Sequence, residues 1–535
     1  MTTDVSNATN EGKRKEAQNS GGLGRRNFLK GLATVPVFGF FLYKLFRKKT
    51  FDDNRKQQIL DELGVDGNAP AIHTAPAGGK KGNLLRLGIV GFGGRGEYLI
   101  KSAGFAHPDW IQKAYEGAKK ERMNKDLEIF MTQEDLNVEV AGVCDVFDVR
   151  ADRAIAASVN DVRPGSGTRK LNPTKRYRTY QELLQAKDID AVLIATPDLW
   201  HAQMTIDAVN AGKHVYCEKC MTRTEDEVFR VVDAVKKSGV VFQLGHQNPQ
   251  QETFNKARDI IRKNILGKIT LVESTTNRNS PTGAWVYEIH KDGNPKTIDW
   301  DQFQEPAPHK VPFSQERFFR WRCWYDYGTG LAGDLLSHEF DAVNQILEMG
   351  IPKTATASGG IYFFKDGRDV PDVFQVVFEY PDRDLTLVYS ATLANGHDRG
   401  RVFMGHDAAM EVGAALTVTA DLDSTRFKDK IKNKIIDPEL PLFTYIPGGK
   451  GIDAITSPTA KYFATKGLMY TNVNGRKVDL SHLHVREWIH CIRNGGKPSC
   501  GIERGFEEAI SCHMATRSFL EGRRVEWDAN HQKIV

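Results

Sequence analysis

The sequence predicts an α/β protein of two domains: a doubly wound parallel sheet, then a second α/β domain built on a mainly antiparallel sheet. Three observations lead there. The chain has 535 residues, more than one ordinary core fills. Between about 84 and 245, short apolar runs alternate with helix-patterned segments, the texture of βαβ units. Beyond about 265, strand-like runs succeed one another across loops rich in Trp and other aromatics, which suggests antiparallel pairing. With 40% hydrophobic residues the chain is too apolar for wholesale disorder, and its 48 Gly and 21 Pro are too few for collagen-like or low-complexity classes.

The elements follow in order. Leu85–Val90 reads as a buried strand. It ends at Gly91-Phe92-Gly93-Gly94-Arg95-Gly96, and a helical segment follows. Residues 105–137 form a charged, helix-favouring insertion. Val138–Cys144 is the second strand and ends at Asp145; Ala191–Thr196 is the next and ends at Pro197. A helix over 201–211 stops at Gly212, His214–Cys217 is a strand, and a helix over 224–237 leads into the strand Val240–Leu244. Further strand-like runs lie at 268–276, 354–364, 372–380 and 384–394, and Leu483–Leu520 is helical. The division expected is a leader at 1–50, a linker at 51–83, a nucleotide-binding domain at 84–245 and a substrate and oligomerisation domain at 246–535.

The leader carries most of the charge asymmetry. Residues 1–50 hold ten Lys/Arg and three Asp/Glu, leaving 63 basic and 65 acidic groups in the rest. A nearly neutral body gives no support for nucleic-acid binding. Gly24-Arg25-Arg26-Asn27-Phe28-Leu29-Lys30 precedes an apolar run from Gly31 to Tyr43 and resembles a twin-arginine export signal. No small-residue cleavage site follows the run; Lys44, Arg47, Lys48 and Lys49 do, so the segment is read as a signal or a retained anchor. The run falls short of the roughly 20 residues a full span needs. Periplasmic or membrane-anchored location and engagement of the export machinery are the expectations. Seven cysteines in 535 residues are no disulfide framework.

The glycine segment carries the first chemistry. A lone G-x-G-x-x-G is weak, but here a strand precedes it and a helix follows. Gly91 permits the tight turn, Gly93 admits a pyrophosphate to the backbone, and Gly96 lets helix and strand pack. Phosphates then sit at a helix N-terminus, where free N–H groups and the dipole favour anions. Phe92, Gly94 and Arg95 belong to the same loop. Asp145 ends the second strand, where an acid holds ribose hydroxyls; the insertion at 105–137 lengthens the usual spacing of about 20 residues. An acid there favours NAD, while nearby Arg150 keeps NADP open.

Farther on, Ala195-Thr196-Pro197-x-x-x-His201, then Ala211-Gly212-Lys213-His214-Val215-x-Cys217-Glu218-Lys219, then Gly333-Asp334-x-x-x-His338-Glu339-Phe340-Asp341, resemble the glucose–fructose oxidoreductase / inositol dehydrogenase / rhizopine-catabolism (Gfo/Idh/MocA) family. The resemblance covers about 84–530. It implies an N-terminal Rossmann dinucleotide-binding domain, a C-terminal α/β domain with a large open sheet, and a nicotinamide in the cleft between them. It also implies hydride transfer to or from a sugar or cyclitol carbon, in some members within a redox-neutral glycosidase or isomerase cycle, and a homo-oligomer. By the same resemblance Lys219, Asp334 and His338 are catalytic, Thr196, Pro197, His201 and Glu218 join the cofactor set, and Asp341 is a supporting or substrate residue. The family usually has Pro after the lysine; this chain has Cys220. That creates Cys217-x-x-Cys220, for which substitution without redox consequence is the default reading.

The chemistry is consistent. Removing a hydroxyl proton as hydride departs suits a histidine base, and a lysine supplies charge where alkoxide character develops. Asp334 and His338, four apart, would share a helix face, so the carboxylate is expected to orient the imidazole. An ordinary helix-surface contact is the plainer alternative. His246-Gln247-Asn248 follows the last strand of the first domain, where α/β sites lie. Arg322, Trp324 and Tyr325 offer arginine and aromatic surfaces suited to a sugar, or else form a packing loop. His482, His484 and His490 lack metal-site spacing and read as surface histidines, so no metal is expected. Export in a folded state would favour tightly bound cofactor and a closed redox cycle. An NAD-dependent glycosidase and a non-catalytic cofactor-binding protein are the alternatives.

Overall fold

The structure, a computed structural model, describes residues 36–51, 57–65, 70, 82–121, 124–159, 172–397, 399–447, 470–473 and 476–535. The paired arginines and about three fifths of the linker lie outside them. The chain divides into Met1–Arg55 and Lys56–Val535. In the first unit, Pro36–Phe51 is helix α1, with Phe40, Tyr43 and Phe46 exposed. Among the described residues, no helix is long and apolar enough to cross a membrane.

The second unit holds two large sheets. After helix α2 (Gln57–Leu63) comes the first, with strands β1 (Leu85–Val90), β2 (Val138–Cys144), β3 (Lys175–Arg176), β4 (Ala191–Ile194), β5 (His214–Cys217) and β6 (Phe242–Leu244). Their order is β3-β2-β1-β4-β5-β6, all parallel. Strand order reverses between β1 and β4, which opens a crevice at the strands' carboxyl ends. Helix α3 (Gly94–Ala103) follows β1, and the insertion folds as α4 (Pro108–Lys120) and α5 (Asp126–Met131) before β2. β1 and β4 are buried on both faces, as crossover helices on each side require. Those crossovers are α6 (Asp148–Ser158), α7 (Tyr180–Gln185), α8 (His201–Asn210) and α9 (Glu225–Ser238).

The second sheet has ten strands. After α10 (Glu252–Arg262) and β7 (Ile269–Asn277), one π-helical turn (Ala332–Leu336) runs into α11 (Ser337–Leu347). Strands β8 (Thr354–Gly360), β9 (Val373–Tyr380), β10 (Leu385–Thr392), β11 (Arg401–Gly405), β12 (Ala408–Val412), β13 (Leu416–Ala420) and β14 (Phe443–Tyr445) follow. Next come the hairpin β15 (Tyr470–Val473) and β16 (Arg476–Asp479), α12 (Leu480–Asn494), α13 (Ile502–Glu521), β17 (Val525–Asp528) and β18 (Lys533–Ile534). The order is β14-β13-β12-β11-β7-β10-β9-β8-β17-β18, antiparallel except for the β7–β10 pair. β10 alternates buried and half-buried residues along its length, the signature of a sheet with one covered face. Helices α10, α11 and α13 lie against that sheet.

The expected division at 246 needs one correction. Helix α12 returns to the first domain: Val485, Trp488 and Ile489 pack in one core with Leu87, Leu99, Val140, Leu193 and Tyr216. The single helical stretch expected over 483–520 is two helices, interrupted at Gly495-Gly496-Lys497-Pro498. β3 and β11–β18 are additions to the strands read from sequence.

Trp488 is fully buried and meets Tyr216 edge to face at 5.8 Å. Trp488→Ala is expected to lower stability by about 3–5 kcal/mol, read by urea unfolding. An unchanged midpoint would detach α12 from the nucleotide-domain core.

Candidate active site

A cleft of about 670 Å³ runs along the carboxyl ends of β1, β4 and β5, faced by Tyr287, Phe318, Phe319, Trp321, Arg322 and His338. Its outer end is the glycine loop. Gly91 has φ +86°, and a Cβ there would lie 2.7 Å from the Ala195 carbonyl oxygen. A Cβ on Gly96 would stand 2.1 Å from the Gly91 carbonyl oxygen, so only glycine allows α3 to start this close to β1. Gly93 and Gly94 line the cleft at the N-terminus of α3, which has no side-chain cap. Arg95 reaches across: its Nε donates to Glu218 Oε1 (2.6 Å) and its Nη1 to Ser481 Oγ (3.4 Å), while Nη2 is buried without a partner among the described residues. A bare helix start with an orphaned, cationic donor beside it fits a diphosphate.

Asp145 lines the cleft one strand away. Its Oδ2 accepts from the Phe92 N–H (2.6 Å) and its Oδ1 from the Phe147 N–H (2.8 Å). Burial pushes its pKa up; the Arg150 guanidinium and the two N–H groups oppose this. Arg150 stacks over Phe318 (5.1 Å) and Phe319 (5.5 Å), and burial lowers its own pKa. Thr196 and Pro197, after β4, line the middle of the cleft. The residues that fit a dinucleotide are thus Gly91, Gly93, Gly94 and Arg95 for the diphosphate, Asp145 for a ribose, and Thr196, Pro197, Glu218 and Lys219 toward the nicotinamide end.

At the inner end Lys219 Nζ donates to Asp334 Oδ1 (2.5 Å) and to the Asp334 carbonyl oxygen (2.7 Å). The Arg322 Nε also donates to Oδ1 (3.0 Å), and the buried Trp285 Nε1 donates to Oδ2 (2.9 Å). Burial alone would raise the Asp334 pKa, but Lys219 and Arg322 hold the carboxyl well below the usual carboxylate range. Burial alone would lower the Lys219 pKa; the Asp334 charge more than offsets it, and the net shift is upward. His338 follows one turn on. Burial, then the Lys219 and His246 charges, push its pKa well below the ordinary histidine value. The inner end therefore presents a protonated lysine and a neutral imidazole together.

The structure places several expected residues elsewhere. Asp334 does not orient His338: both its carboxylate oxygens serve Lys219, Arg322 and Trp285, and the π-helical turn carries it off the face that α-helical spacing would give. The Phe92 side chain packs in the core, and only its N–H serves the site. His201 is buried behind the cleft, its Nδ1 facing the Cys220 carbonyl oxygen (2.5 Å) and its Nε2 that of Thr196 (2.9 Å). His246 is fully buried under His338 (ring centroids 4.9 Å apart), with Nε2 2.6 Å from Glu508 Oε2. Gln247 lines the cleft; Asn248 instead donates to the His338 carbonyl oxygen (3.1 Å) and to Asp341 Oδ2 (2.9 Å). Asp341 is fully buried and pairs with Arg504 (3.6 Å), out of a substrate's reach. Arg322 lines the cleft; Trp324 is buried beneath Arg317 and Tyr325 packs on Gly330, while Trp321 takes the cleft wall.

Cys217 and Cys220 are buried free thiols with separate acceptors, the Glu218 carbonyl oxygen and the Gly333 carbonyl oxygen, and burial pushes both pKa values up. His482 and His484 are buried rather than surface residues, bonded to the Ser102 and Leu244 carbonyl oxygens. Among the described residues no cluster suits a metal. Sequence reasoning missed Trp285, Tyr287 and Glu508. Only Trp285 left a signal, since a buried indole N–H needs an acceptor.

Fold and cleft together define the class, a two-domain α/β protein with a dinucleotide crevice facing a second, mostly antiparallel sheet. Residues 85–246 match the GFO_IDH_MocA model, described as an oxidoreductase family with an NAD-binding Rossmann fold. The chain is similar to the α-N-acetylgalactosaminidase of Shewanella oneidensis (26% identical over 303 residues, 52% of this chain and 56% of the relative). It is also similar to a glycosyl hydrolase family 109 protein of Shewanella sp. MR-4 (30% over 303 residues, the same shares). Levoglucosan dehydrogenase of Pseudarthrobacter phenanthrenivorans is 26% identical over 218 residues, 39% of this chain and 48% of the relative. The chain thus matches about half the length of these relatives. Among solved structures, levoglucosan dehydrogenase in complex with NADH shares the fold (TM-score 0.53, 17% identity, 83% of this chain, 99% of that one). So does the WlbA dehydrogenase from Bordetella pertussis (TM-score 0.51, 15% identity, the same coverage).

Gly96→Ala is expected to weaken NAD binding at least tenfold, about 1.4 kcal/mol, by driving α3 away from β1. Fluorescence titration with NADH reads it; an unchanged Kd would take the diphosphate off this loop.

Proposed function

We propose that this chain is an NAD-dependent oxidoreductase that transfers hydride to or from a carbon bearing a hydroxyl on a sugar or cyclitol. The observation that carries the reading is one cleft holding a glycine cradle at one end and the Lys219–Asp334 pair with His338 at the other. Bound NAD supplies the hydride acceptor or donor. His338, kept neutral by burial and neighbouring cations, takes the hydroxyl proton. Lys219 spends two N–H groups on Asp334; the third is left for the substrate oxygen, whose growing negative charge it stabilises. Asp334 keeps that lysine protonated and aimed.

A second reading deserves its place because the relatives at 26–30% identity include an α-N-acetylgalactosaminidase. In a redox-neutral glycosidase, transient oxidation of a ring carbon would acidify its neighbour and let the glycosidic oxygen leave by elimination. His338 and Lys219 would serve the first step unchanged. Analysis of products from a chromogenic glycoside separates the two. We further propose periplasmic placement through the twin-arginine segment, NAD rather than NADP, and a cofactor retained through many turnovers, strapped by the Arg95–Ser481 contact between α3 and α12.

Lys219→Met and His338→Ala are each expected to lower kcat at least a hundredfold with NAD affinity kept within threefold. The wild-type acid limb in kcat/KM should lie well below pH 6.5, because the His338 base form persists there; a limb at 6.5 or above counts against His338 as base. Protein purified without added cofactor should release near one equivalent of NAD(H) on denaturation. It should fractionate with the periplasm unless Arg25 and Arg26 are replaced by Lys. Empty, cytosolic protein would sink the retained-cofactor reading.

A further inference from the structure

The proposed reaction uses Lys219 and His338 directly and leaves one cleft residue unexplained. Arg322 sits beside the reacting end, not at the diphosphate end. Its Nε is fixed on Asp334 Oδ1 (3.0 Å), its guanidinium lies over the Trp321 ring (4.2 Å), and its side chain is 26% exposed to the cleft. Its two terminal amino groups make no hydrogen bond among the described residues. A guanidinium held by Nε and by its face presents the remaining edge as a rigid two-donor fork, the geometry that matches a carboxylate or another oxyanion.

The charges around it are out of balance. Asp334 already neutralises Lys219. Arg278, just past β7, adds its field at both Asp334 and His338 and has no ion-pair partner among the described residues. The other carboxylate at this end, Asp198, is buried and accepts from the Thr329 N–H (3.1 Å) and Oγ1 (2.7 Å). Counting both acids as ionised, Lys219, Arg278 and Arg322 outnumber them. Glu288, at the mouth, is exposed and pairs with none of the three. An uncompensated cation in a half-buried cleft is costly unless the ligand brings the counter-charge.

We propose that the substrate of this site is an acidic sugar. An anionic substituent, a uronate carboxylate or a sulfate or phosphate ester, seats on the terminal amino groups of Arg322 within the field of Arg278, while the reacting hydroxyl lies between Lys219 and His338. This rests on the oxidoreductase reading above and narrows it.

The test uses the full-length protein with NAD and follows NADH formation. The probes are neutral and anionic pairs on the gluco, galacto and manno frames: the hexose, its uronate, its 6-sulfate and its 6-phosphate. At least one anionic probe should exceed its neutral partner tenfold or more in kcat/KM, with the advantage shrinking as salt rises; which anion wins separates carboxylate from ester. Arg278→Gln, which leaves the Asp334 hydrogen bonds intact, should raise KM for that anionic probe at least fivefold with the neutral KM within twofold. Arg322→Lys, which keeps the charge but removes the fork, should cost at least tenfold in the anionic KM. Neutral sugars oxidised as well as anionic ones, or equal KM changes for both in the variants, would overturn the proposal while leaving the oxidoreductase standing. Failure to oxidise any probe would overturn both.

Discussion

Lys219 and Asp334 come from opposite sides of the cleft. The lysine follows β5 of the nucleotide-binding sheet, and the aspartate sits on the π-helical turn that leads into α11 beside the second sheet. Burying a charge pair costs several kcal/mol per ion before attraction repays it, and repayment needs every remaining lone pair filled. Here it is: Arg322 and Trp285 occupy the rest of the carboxylate. The pair therefore demands that four segments arrive together, at residues 219, 285, 322 and 334. Where it forms, the π-helical turn is placed against the loop after β5, and His338 is delivered to the cleft with it.

Behind this pair lies a layer of buried polar groups that touches no cleft space yet determines its shape. His201 ties the loop after β4 to the loop after β5 through two carbonyl oxygens. Asn248 anchors the His338 backbone and is itself held by Asp341, which Arg504 of α13 balances. His246 and Glu508 place a compact acid–base pair directly under the His338 ring. These groups hold their geometry only as a network: removing one would leave another buried and unpaired. Their distance from the cleft explains why histidines that look like ligands in the sequence are supports in the fold.

The parts legible in the sequence are those whose physics is local. A strand ending in Gly91-Phe92-Gly93-Gly94-Arg95-Gly96 declares its turn and the anion site at a helix start, and Asp145 declares itself by ending the next strand. Lys219, Asp334 and His338 were legible as a set through motif resemblance, not through spacing. Spacing misjudged the relation between the last two, because helical periodicity assumes an α-helix and the chain makes a π-helical turn. The burial of His482 and His484, the return of α12 to the first domain and the pairing of Asp334 with Trp285 and Lys219 depend on residues 49 to about 400 positions away. No local pattern records such contacts; they exist only once two sheets have docked.

The two readings of the chemistry differ in what must stay in the cleft between hydride departure and hydride return. An ordinary dehydrogenase can exchange its cofactor at that point; a redox-neutral enzyme cannot. The diphosphate end bears on this choice more than the reacting end does. Arg95 is held by Glu218 from the β5 loop and by Ser481 from α12, and Tyr98 on the same helix donates to Asp479, the residue that caps α12. Opening the glycine loop far enough to free a dinucleotide would disturb contacts anchored in α12, whose Trp488 and Val485 belong to the domain core. In the retained-cofactor reading proposed above, a loop coupled to the core in this way would resist release, and slow release is what a closed cycle requires, whichever bond the reacting end breaks.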